Sequence, residues 1–143
     1  MTRQTDTIAL IGRVLLAVLF LMSGIGKLAA PAATQGYIAA MGLPAPVAAY
    51  VGATGVELIG SVLLIAGFQV RIGAAGLAVF TLLAAVFFHN NFADQNQMLH
   101  FMKNVAILGG LLQVVAFGAG RYSLDHRFDR SAKLSTAALT AAG

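Results

Sequence analysis

Apolar residues run almost unbroken through four stretches of this 143-residue chain, at positions 8–27, 47–68, 72–88 and 99–118. Each approaches the roughly 20 residues that a helix needs to cross the hydrocarbon core of a bilayer. Strands of a membrane barrel would instead alternate apolar and polar side chains in short segments. The polar breaks fix the packing order. Gln69, Val70 and Arg71 leave room only for a tight hairpin between the second and third spans. A polar loop, HNNFADQNQM, joins the third to the fourth. The first connection holds Pro31, Pro44 and Pro46, the only prolines. Within it, residues 31–41 read as a short helix, because proline suits a first helical position and Gly42 suits a stop. Thr34, Tyr37, Ile38 and Met41 share one face of that helix, which places it at the membrane surface. The expected fold is all-α: an integral membrane four-helix up-down bundle with a short interfacial helix in the first outer loop. Residues 1–125 form its single domain, and 126–143 form a cytoplasmic tail.

Composition agrees. Hydrophobic residues make up 59% of the chain and charged residues 10%, against about 25% charged in ordinary soluble domains. Mean hydropathy is +0.84. Such a chain is neither disordered nor able to cover a soluble surface. The absence of cysteine removes disulfides, thiolate-zinc sites and cysteine-held clusters. The formal net charge of +4 is unevenly spread. Arg3, Arg71, Arg121, Arg127, Arg130 and Lys133 fall on one side of the bundle, whereas the opposite loops hold no lysine or arginine. By the positive-inside rule both termini are expected in the cytoplasm. The basic tail suits anionic lipid headgroups, and no nucleic-acid role is expected. The first span is too long for a signal-peptide core and is interrupted by Arg13, so it is read as retained.

Ionisable residues within spans are costly, and they mark functional sites by default. Glu57 stands near the middle of the second span, roughly 15 Å from either end. Tyr50, Thr54, Glu57 and Ser61 recur at helical spacing and form one polar stripe that should face the bundle interior. Arg13 begins about 7 Å inside the inner surface and Lys103 about 6 Å inside the outer one; either is a candidate partner for Glu57. Lys27, at the outer end of the first span, shares a face with Arg13 and Phe20. It reads as a snorkelling anchor or a partner. His89, Asn104 and His100 collect at the same end, and a histidine there is a candidate proton carrier. A buried ion pair could equally serve only to fix helix register. Gly24, Gly26, Gly52, Gly60, Gly67, Gly73 and Gly76 are expected to let helices approach closely or to leave room for a flat ligand. Paired helical ExxH motifs, deep histidines, GxGxxG, Walker and GxSxG motifs are all missing. Di-iron, bis-histidine haem and nucleotide sites are therefore unsupported, and no metal site is expected.

The succession GRVLLAVLFLMSGIGKLAAP, YIAAMGLP, GVELIGSVLLIAGFQVRIGA, FFHN, FMKNVAILGGLLQ and GRYSLD resembles the DoxX family of small four-helix bacterial membrane proteins. The resemblance spans residues 8–125 and puts Arg13, Lys27, Glu57, His89, Lys103 and Asn104 on the family's motif positions. It implies a multi-pass protein of the bacterial inner membrane, linked to quinone or thiol redox chemistry. Together the residues and the resemblance point to a redox-associated accessory protein, with a quinone as suspected ligand in an outward-open polar cavity. A membrane or peripheral oxidoreductase is the expected partner, and homo-oligomerisation is open. Two alternatives stand beside it: a non-enzymatic membrane scaffold or assembly chaperone, and a small proton-coupled transporter. No self-contained catalytic motif is visible.

Overall fold

A computed structural model describes residues 3–142, with side chains described as far as residue 135. The described residues form six helices: α1 (Arg3–Ala29), α2 (Pro31–Ala40), α3 (Pro46–Ala66), α4 (Val70–Phe88), α5 (Gln95–Phe117) and α6 (Leu124–Ala142). Helices α1, α3, α4 and α5 are long and apolar enough to cross a bilayer, and they pack as a bundle. One end of the bundle carries the starts of α1 and α6 and the α3–α4 turn; the other carries α2 and the α4–α5 loop.

Local chemistry sets the boundaries. Pro31 and Pro46 open α2 and α3 at the first helical turn, where a missing N–H costs nothing. Gly67 closes α3 in a left-handed conformation, and the N–H groups of Gly67 and Phe68 both donate to the Leu63 carbonyl. Asp94 caps α5 by accepting from the Asn96 N–H. That cap starts α5 four residues before the apolar run begins. At the other extreme, α1 extends outward to Arg3, with Asp6 in its first turn favoured by the helix dipole. The sequence pattern assigned no helix to the tail, yet Leu124–Ala142 is helical. Ser123 accepts from the His126 N–H and starts it.

Helix α1 lies along α3, α3 along α4, and α4 along α5, while α1 and α5 meet at few points. The core is built from Ala17, Phe20, Leu64, Ala74, Leu77 and Leu111. Small residues permit the close crossings: a Cβ on Gly60 would sit 2.6 Å from Leu77 Cγ. Gly26, Gly52 and Gly76 do not play that part, since a Cβ there would meet nothing within 4 Å. Helix α2 folds back onto α3 with Ile38 buried, and Tyr37 stacks on Phe88 of α4 at 5.6 Å between ring centroids.

Candidate functional site

Because α1 and α3 run antiparallel, one register places Lys27 beside Glu57 and Arg13 beside Gly67. The Lys27 ammonium donates to both carboxylate oxygens of Glu57, at 2.9 and 2.8 Å, and to Ser23 Oγ at 2.8 Å. Ser23 in turn donates to Glu57 Oε1 at 2.9 Å. The three side chains close a triangle. Its two ends differ in exposure: the Glu57 side chain is 3% exposed and that of Lys27 is 23% exposed. The exposed part of Lys27 faces a cavity of about 270 Å³, whose walls include Phe20, Tyr37, Phe80, Phe88, His89 and Asn104. The space therefore has an aromatic and aliphatic body with a few converging polar groups, the usual make-up of a small-molecule site.

The other groups at the cavity are less committed. Asn104 is half-buried in the wall, and its amide makes no hydrogen bond among the described residues. His89 Nδ1 lies 2.8 Å from Gln97 Oε1. The His89 ring stacks on His100 with centroids 5.0 Å apart. Among the described residues no three His, Asp or Glu side chains converge as metal ligands would.

The polar stripe on α3 faces inward, but its members do different things. Thr54 and Ser61 are buried. Ser61 donates to the Glu57 carbonyl one turn away, while the Thr54 hydroxyl has no partner among the described residues. Tyr50 donates to the Lys27 carbonyl at 3.3 Å, tying the start of α3 to the end of α1. None of these three lines the cavity.

Two expected partners of Glu57 are elsewhere. Lys103 is exposed on α5 and donates to His100 Nδ1 at 3.1 Å. Arg13 is buried at the opposite end, where it donates to the carbonyls of Ala119 and Tyr122 at 2.6 and 2.9 Å. Arg13 and Lys27 are two heptads apart on α1, which separates them by about 21 Å. Around Arg13 lies a second polar assembly that the sequence did not announce. Asp125 accepts from the N–H groups of Gln69 and Val70 at 2.8 and 3.1 Å, at the start of α4. Asp6 is buried and accepts from the Arg121 N–H at 3.3 Å. These contacts fasten the segment after α5 across α1 and the α3–α4 turn. Ser23 was also missed; its only signal is the one-turn spacing to Lys27.

The DoxX family model matches residues 8–90. The chain is 38% identical over 130 residues to "Inner membrane protein YqjF" of Escherichia coli (strain K12), covering 91% of this chain and 98% of that protein. It is 32% identical over 123 residues to "Inner membrane protein YphA" of the same organism, covering 82% and 88%. No solved structure matches it significantly.

Proposed function

The chain belongs to the DoxX family, and from that premise we propose that it is a redox-associated accessory protein of the bacterial inner membrane that binds a quinone-like lipid beside Lys27 and Glu57. The location is supported by the four apolar helices and by the names of the two relatives. The distribution of lysine and arginine supports termini that face the cytoplasm, so that the cavity end faces outward.

One observation carries the ligand reading: the Lys27–Glu57–Ser23 triangle borders a cavity instead of being sealed in the core. A pair that only fixed register would need no adjacent space. The Asn104 amide, which makes no hydrogen bond among the described residues, would be the donor to a ring carbonyl, and the aromatic walls suit the ring's faces. A bound quinone would supply carriage of electrons and protons between membrane enzymes. This chain would hold the ring, exclude water, and keep a carboxylate and an ammonium in proton-sharing contact next to it. On this reading a partner oxidoreductase delivers the electrons.

The test is titration of a short-tailed ubiquinone analogue into the purified protein, with thermal unfolding followed on the same samples. The wild type should bind saturably. Asn104→Ala and Glu57→Gln should each weaken binding by about tenfold or more while the protein stays folded. Absence of binding by the wild type, with a large stability loss in Glu57→Gln, would leave the pair a structural one.

A second reading rests on a different observation. Leu111 is the one residue of α5 fully buried in the bundle, and α1 and α5 barely touch. That open seam would suit a helix of a membrane partner or of a second copy, as a scaffold or assembly factor requires.

A further inference from the structure

Next to the polar cavity, between α3 and α4, lies a recess of about 330 Å³ of the opposite character. All of its lining residues are apolar or glycine. Val79, Leu83 and Phe87, on its rim, are each close to half exposed, so in a bilayer it opens sideways onto lipid. Its floor exists because side chains are missing. Gly52 on α3 and Gly76 on α4 both border it, and a Cβ on either would meet nothing within 4 Å. Elsewhere the same two helices touch, with Gly60 against Leu77. The recess is therefore a local parting of a seam that is otherwise closed.

The two spaces are back to back. Ile38, Ala53, Phe80, Ala84 and Phe88 line both, so a single layer of side chains separates them. Ala53 and Ala84 are the smallest members of that layer, and rotation of the Phe80 and Phe88 rings would widen it. Each volume sits at or below the low end of the range of about 300–1,000 Å³ usual for small-molecule sites; joined, they fall within it.

We propose that the two recesses form one site for one amphiphilic lipid, with its polar head beside Lys27, Glu57 and Asn104 and its hydrocarbon tail in the α3–α4 groove. The inference rests on the head-group reading above and adds a lateral route of entry and a requirement for a tail. Polarity argues for this occupant: charge and amide at one end, unbroken hydrocarbon at the other, and a thin partition between them. The groove's size argues for a chain. A space of about 330 Å³ accepts an alkyl or isoprenoid segment, whereas a transmembrane helix packs along a stripe many turns long.

The experiment compares two probes on the full-length protein: a tail-less ubiquinone head and the same head carrying a long isoprenoid tail. Wild type should bind the tailed probe at least about tenfold more tightly than the tail-less one. Gly76→Leu, and independently Gly52→Leu, should fill the groove and abolish most of that advantage. Binding of the tail-less probe should stay within about twofold of wild type. Both substitutions remove a helix-weakening glycine at a position open in the structure; two variants guard against one failing to fold. Undiminished affinity of both folded variants for the tailed probe would overturn the groove assignment, as would an equal loss for both probes. If neither probe binds the wild type, the head-group reading falls and takes this inference with it, an outcome distinct from the first two.

Discussion

Lys27 and Glu57 are an unequal pair. The carboxylate is 3% exposed and the ammonium 23% exposed, so removing one partner does not cost what removing the other does. Lys27→Met strands a buried carboxylate, which typically costs about 3–5 kcal/mol, and should lower the unfolding midpoint in detergent markedly. Glu57→Gln strands an ammonium that can turn to the cavity and to Ser23, and it should cost less. The double variant should recover much of the Lys27→Met loss. Equal losses for the two single variants would show that the cavity does not solvate Lys27. A carboxylate in the middle of an apolar helix made Glu57 legible from the sequence. Its partner was not legible, because several cations lay within side-chain reach of some register and the sequence does not state the register. Ser23 was invisible for a related reason: a lone serine in a span carries no mark until its neighbour across the interface is known.

Among the helices, the end where α1 and α6 begin is organised by a glycine and two aspartates. Gly67 has φ +66, and a Cβ there would stand 2.5 Å from Ser123 Cβ and 2.8 Å from an Arg13 guanidinium nitrogen. Gly67→Ala combines backbone strain with a clash and should destabilise by more than about 1 kcal/mol. Gly55→Ala, where a Cβ meets nothing, should be neutral or stabilising by up to about 1 kcal/mol. Thermal unfolding of the two variants side by side checks the contrast. Asp125 supplies from α6 the N-terminal cap that α4 lacks on its own, since the Gln69 side chain makes none. Asp125→Ala should cost about 0.5–2 kcal/mol and speed amide exchange at residues 69 and 70. Unchanged exchange there would show that the cap is not needed. The four spans and the short α2 were readable because hydrophobic length and proline position are local properties. Helix α6 was not, because its start depends on Ser123 and on the contacts of Asp125 and Phe128 with the α3–α4 turn. The assembly around Arg13 was missed for the same reason: it joins segments more than a hundred residues apart.

The described residues form a bundle with a loose edge, a polar cavity beside Lys27 and Glu57, and a charged end. Arg3, Arg71, Arg121, Arg127, Arg130 and Lys133 all lie at the end where α1 and α6 begin, and the proposed cytoplasmic orientation of that end rests on them. Reporter fusions after Ala93 and after Lys133 should read out on opposite faces, periplasmic and cytoplasmic respectively. The reverse would turn the cavity toward the cytoplasm. The proposed occupant of the cavity beside Lys27 and Glu57 is a quinone-like lipid. Photoaffinity labelling of the protein in native membranes with an azido-ubiquinone, followed by peptide mapping, tests it most directly. Saturable labelling, displaced by excess unlabelled ubiquinone, is expected within the peptides that carry Phe20–Lys27, Ala53–Glu57 and Phe80–His89. Labelling that does not saturate, or that falls mainly on the end where α1 and α6 begin, would contradict it.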